Sequence, residues 1–147
     1  MNESLENISV DHKVIGFCLK HDFFNKVKNI LDEEMFTGQL KELFRSISYA
    51  HTNYEKDLTK DELFALHVDK HPAMPSSSKK ELSLVVESLP PDANNHDLQM
   101  DVVKNFWLRD RARIIGEKAI SIFTGQGEDF GELQRIMDTV EDGRMEN

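Results

Sequence analysis

In the second half of the chain, apolar positions recur every three to four residues from Asp97 to the glycine at 125. Val103, Trp107 and Ile114 lie along one helical stripe, and Leu108, Ala112, Ile115, Ala119 and Ile122 along a second. Leu98, Val102 and Phe106 open a third, continued by Ala119, Ile120 and Phe123. A helix resting on a single core needs an apolar arc of only about 100°. The surplus predicts a second surface to be covered, either elsewhere in the fold or on another subunit. Gly125 stands where a left-handed C-cap is expected, and Asp129 is placed to cap a following helix. That helix carries Phe130, Leu133, Ile136, Met137 and Val140 at spacings of three and four. So short a connection predicts an antiparallel helical hairpin over 97–141, the candidate functional surface.

Shorter amphipathic segments precede it. Ser9 can cap a helix running to Lys20, with Val14, Ile15, Cys18 and Leu19 on its apolar face and Phe17 beside it. Asp22 restarts a short helix bearing Phe23, Phe24, Val27, Ile30 and Leu31. Asp32, Glu33 and Glu34 begin a turn, after which Phe36 tucks back into the core. From about Gly38 a third helix presents Leu40, Leu43, Phe44 and Ile47 inward, with Tyr54 at its end. Thr59-Lys60-Asp61-Glu62 is a capping box, with Leu58 and Leu63 placed as a hydrophobic staple. The helix it opens carries Leu63, Leu66 and Val68 towards Lys70. His71 to Ser78 reads as a loop, and Ser78-Lys79-Lys80-Glu81 repeats the capping box before Leu82, Val85, Val86 and Leu89. Pro90-Pro91 ends that helix, and Asp92 to His96 form a polar loop. Sustained two-residue alternation is missing, so no sheet is expected.

The expected fold is all-α: a compact helical subdomain of about five helices at 9–89, then the long antiparallel hairpin at 97–141 in the same domain. Residues 1–8 read as a disordered tail, and 142–147, with a helix stop at Gly143, as a tail or the start of a linker.

Composition narrows the function classes. A chain of 147 residues, 39% hydrophobic and 31% charged, suits one globular domain. It has no apolar run of about 20 residues and no secretory h-region, so a cytoplasmic protein is expected and the sequons at Asn2 and Asn7 are chance matches. Its single cysteine, Cys18, sits between Phe17 and Leu19 and reads as a small buried hydrophobe. A net charge of −9 disfavours nucleic-acid binding by the general surface. Lys104, Arg109, Arg111, Arg113 and Lys118 form a local exception. Asp101, Asp110 and Glu117 interleave with them, which favours a solvated or interface-pairing face over DNA contact.

No catalytic constellation is signalled. The chain has no G-x-x-x-x-G-K-[ST] loop, and Gly125, Gly127 and Gly131 follow a helix with the wrong spacing for a dinucleotide fingerprint. His67 and His71, one helical turn apart, could share a metal, but a site needs further ligands and Asp69 points elsewhere. They read as surface histidines near a helix end. No catalytic residue, metal or cofactor is therefore expected.

The order of these motifs resembles the N-terminal domain of DnaB-like replicative DNA helicases. Val14-Ile15-Gly16-Phe17-Cys18-Leu19, then Phe24-Asn25-Lys26-Val27 and Leu31 to Phe36, looks like that domain's opening. A helix with Phe44 and Ile47 and the Leu58-to-Leu63 segment follow in the family's order. Val103 to Ile120, with Arg109, Arg111 and Gly116-Glu117-Lys118-Ala119, resembles the first helix of the family's dimerising hairpin, and Phe130-Gly131-Glu132-Leu133 its second. The resemblance spans about residues 8 to 142. Two departures stand against it: the Pro75 loop and the Leu82 helix replace the family's Gly-rich turn and "Tyr-Leu" helix, and no motor domain is present.

The resemblance implies an assembly and partner-docking domain in DNA replication. Such domains pair through the hairpin, assemble as a trimer of dimers, and receive primase or a helicase loader within the primosome. Val103, Trp107, Arg109, Arg111, Ile114, Ile115, Ile122, Phe130, Leu133 and Met137 would form the hairpin and its interface, with Arg113 also available for ion pairs between subunits. ATP and magnesium would belong to the motor, so this chain would not unwind DNA by itself. It would be an isolated domain, or a stand-alone relative such as a bacteriophage encodes. A second expectation is a free-standing helical regulator that binds such a helicase or primase; a third, a small helical enzyme or metal-binding protein, finds no candidate site in the sequence.

Overall fold

Local sequence signals account for some of the helix ends in the computed structural model, which describes residues 9–90, 96–127 and 130–141. These form seven α-helices: α1 (Val10–Phe17), α2 (His21–Val27), α3 (Gly38–Asn53), α4 (Lys60–Asp69), α5 (Ser76–Glu87), α6 (His96–Phe123) and α7 (Phe130–Glu141). A single 3-10 turn, Glu33–Met35, separates α2 from α3. Among the described residues there is no strand.

The capping box at α4 is formed in both directions. Thr59 Oγ1 accepts from the Glu62 N–H at 3.0 Å, and the Thr59 N–H donates to Glu62 Oε1 at 2.9 Å. Lys60, in the same turn, donates its Nζ to the Leu89 and Glu87 carbonyls at 2.7 and 3.2 Å. The start of one helix thereby satisfies carbonyls left over at the end of α5. At the end of α6, Gln126 N–H bonds the Ser121 carbonyl and Gly125 N–H bonds the Ile122 carbonyl, with Gly125 at φ +75°. This is the six-to-one and five-to-two pattern of a Schellman stop, which needs a left-handed residue.

Other ends differ from the sequence reading. α1 stops at Phe17 instead of continuing to Lys20. Its last amides shorten to i→i+3 bonds, Lys20 turns extended, and the His21 N–H is taken by the Asp57 carboxylate at 2.9 Å. Ser9 precedes α1, but its hydroxyl bonds Asp11 and His12 instead of capping the backbone. The second capping box does not form: α5 begins at Ser76 behind Pro75, so Ser78 lies inside the first turn. Tyr54 is extended and 60% exposed, outside the inner face of α3. Asp129, residues 92–95, Gly143 and the two sequons lie outside the described residues.

The core joins both parts of the chain. Val14, Ile15, Phe23, Val27, Phe36, Leu43, Ile47, Leu63, Leu82 and Leu89 are buried together with Val103 of α6. α1 packs on α3 and on α6, so the first helix lies in contact with the penultimate one. Gly16 faces Pro90, and a Cβ there would come within 2.8 Å of the proline ring. Only glycine admits that approach without displacement.

Candidate interaction surface

α6 changes surroundings along its length. Its buried residues, Gln99, Val103, Trp107 and Asp110, follow one stripe in the first half. From Arg111 to Phe123 none is buried, and none is buried in α7. These 13 residues extend about 20 Å at the usual helical rise. α7 packs against α6, and Lys118 Nζ meets Glu132 Oε2 at 3.2 Å between the two helices.

The ten residues expected at an interface therefore separate. Val103 is fully enclosed, and Trp107 is buried against the same body, so the chain itself consumes these two apolar groups. Ile114, Ile115, Ile122 and Leu133 are half-buried, while Phe130 is 71% exposed and Met137 is also exposed. Ile120 and Phe123, placed on the third stripe by their spacing, are 64% and 90% exposed and belong with this group. Large exposed apolar patches often mark contact surfaces.

The arginines are held largely by their own helix. Asp110, buried among core groups, accepts from Arg113 Nη2 at 2.7 Å and Arg111 Nη2 at 3.1 Å. Arg113 also reaches Glu117 at 3.1 Å. Arg111 lies 5.8 Å from the centre of the Trp107 ring, and its buried Nε has no hydrogen-bond partner. Arg111 and Arg113 form these pairs within the helix because Asp110 sits one and three residues away on the same turn. Arg109 is exposed. Beside Trp107 and Arg111 opens a cleft of about 560 Å³, also walled by Phe44, Arg45 and Glu33.

The histidines also depart from expectation. His67 is buried, not at the surface. Its Nδ1 stands 2.8 Å from Ser46 Oγ on α3, and its ring packs 4.4 Å from that of His71. Burial lowers its affinity for a proton, and the neighbouring His71 lowers it further. A second pair, His21 and His51, leaves no local pattern in the sequence, since 30 residues separate them. Cys18 is fully buried, and burial pushes its thiol up to about 12, which makes it an inert hydrophobe at neutral pH. Among the described residues, no group of three or more His, Cys, Asp or Glu side chains is arranged to hold a metal ion. No helix among them is long and apolar enough to cross a membrane.

The described residues are all-helical, and the two most exposed large apolar side chains among them, Phe123 and Phe130, stand at the end of α6 and the start of α7. No protein family, curated protein or solved structure matches it.

Proposed function

We propose that the chain is an assembly and partner-docking domain, built as a helical body carrying the α6–α7 hairpin. Its place is that of the N-terminal domain of a DnaB-like hexameric replicative helicase, with a second copy and then primase or a helicase loader as partners. The carrying observation is the exposure of Ile120, Phe123, Phe130 and Met137 on the outer half of α6 and on α7, where no residue is buried. A large apolar surface facing water is unfavourable at about 25 cal/mol per Å², and association removes that cost. The helicase assignment is supported by the order of the motifs from Val14 to Leu133. Their order resembles the family's, in which the segments matching the exposed helices belong to the dimerising hairpin. Direct DNA contact has little support, because Arg111 and Arg113 are neutralised by Asp110 and Glu117.

Light scattering across a range of protein concentrations tests this reading. A dimer, or a dimer passing to a hexamer, is expected, with Phe123→Glu/Phe130→Glu monomeric at unchanged helicity. A strict monomer at high concentration would remove self-association and leave the regulator that binds a helicase or primase. An oligomer insensitive to both substitutions would move the interface off the hairpin.

A further inference from the structure

His21 opens α2 and His51 lies in the last turn of α3, and their Nδ1 atoms stand 3.0 Å apart. The hydrogens on these rings follow from their outer partners. His51 Nε2 lies 2.8 Å from the Cys18 carbonyl oxygen, which can only accept, so that nitrogen carries a hydrogen. In the neutral ring His51 Nδ1 is then an acceptor, and His21 Nδ1 must be its donor. That leaves His21 Nε2 to accept from the Asn25 amide at 3.0 Å. With both rings neutral, every polar atom from Asn25 to the Cys18 carbonyl is paired.

One added proton can also be housed. A hydrogen on His51 Nδ1 points at His21 Nδ1, His21 carries its own hydrogen on Nε2, and the Asn25 amide turns its oxygen to receive it. A second proton has no such arrangement. Two N–H bonds would face each other across 3.0 Å, and two positive rings would sit in contact beneath Phe24, which stacks 4.8 Å from His51.

We propose that His21 and His51 act as one coupled pair that takes up one proton but not two while α2 and α3 stay packed, an acid-sensitive latch at this junction. The charged surroundings fit that limit. Asp57, from the segment after α3, accepts the His21 backbone N–H and pairs with Lys20 at 3.5 Å. Its carboxyl is held below the usual range, first by that backbone bond, so one anion faces the pair and balances one charge. From the C-cap of α1 the pair meets the Cys18 carbonyl. Burial is the main cause that lowers the proton affinity of His51, while the Cys18 carbonyl and Asp57 oppose it and His21 adds to it.

The direction with pH follows. A base whose affinity is lower in the folded chain contributes stability that is present above its unfolded pKa, about 6.5, and lost as pH falls below it. What opens is local: the same junction ties Leu58 N–H to the Leu19 carbonyl at 2.8 Å, next to a groove of about 580 Å³ lined by Tyr54, Leu58 and Leu66.

Imidazole ¹⁵N NMR on the full chain from pH 8 to 4.5 reads the pair directly. At pH 8 His51 should carry its hydrogen on Nε2 and His21 on Nδ1. On acidification the rings should titrate in two coupled steps, the second accompanied by loss of the α2–α3 contacts. Urea denaturation at pH 7 and pH 5 supplies the second measurement. His21→Gln keeps a donor for His51 Nδ1 but cannot ionise, so proton uptake on unfolding should fall by about one relative to wild type. Two rings titrating independently with the fold intact would overturn the latch, as would wild-type pH dependence in His21→Gln. Imidazole signals that move on adding EDTA would show a metal ion, not a hydrogen, between the nitrogens, and would overturn it equally. Should His21→Gln fail to fold, the wild-type titration decides.

Discussion

Val103 and Trp107, in the first half of α6, are enclosed by the chain's own core, whereas Ile120 and Phe123, in the second half, face solvent. Both halves carry apolar groups at helical spacing, so the difference lies in what packs against them. α1 covers the first half, while α7, itself without a buried residue, accompanies the second. A stripe that looks uniform in sequence is thus buried at one end and open to solvent at the other. The surplus of apolar surface was real, but it is divided along the helix and not spread around it.

Substitution can break that contrast. The largest effect is expected at Trp107→Ala, about 3–5 kcal/mol in urea denaturation, from lost burial and the cavity left behind. Equal stability to wild type would mean that Trp107 does not belong to the core half. Next comes Gly16→Ala, where the added methyl meets the Pro90 ring within 2.8 Å and must push α1 from the end of α5. A cost of about 1–3 kcal/mol is expected, read as a lower thermal midpoint. Thr59→Ala should cost about 1 kcal/mol, because only one side of the cap is lost while Lys60 still holds α5. The smallest effect belongs to Phe123→Ser in the outer half, within about 0.5 kcal/mol for the dilute protein. A loss of several kcal/mol at Phe123 would show that the outer half is structural after all and erase the contrast.

What the sequence made legible was local. The Thr59 box and the Gly125 stop each depend on residues within six positions, and both formed as read. The Ser78 box had the same pattern and failed, because Pro75 with its fixed φ starts the helix three residues earlier. The early end of α1 has a distant cause, since the Asp57 carboxylate takes the His21 amide from 36 residues away. The His21–His51 pair was invisible for the same reason. His67 and His71 were visible as a pair, but only the position of Ser46 on α3 decides that the first is buried. Which apolar residues of α6 are used internally likewise depends on where α1 docks, and periodicity does not carry that.

The placement of α1 against α6 also sets a schedule for synthesis. Val14 and Ile15 leave the ribosome early, yet part of the surface that covers them arrives only with Val103. At about 5–20 residues per second, the first helix waits on the order of ten seconds for its cover. During that interval the nascent chain displays an apolar face that the finished protein never shows. The exposure of this protein to chaperones and to misassembly is therefore greatest before its sixth helix is made.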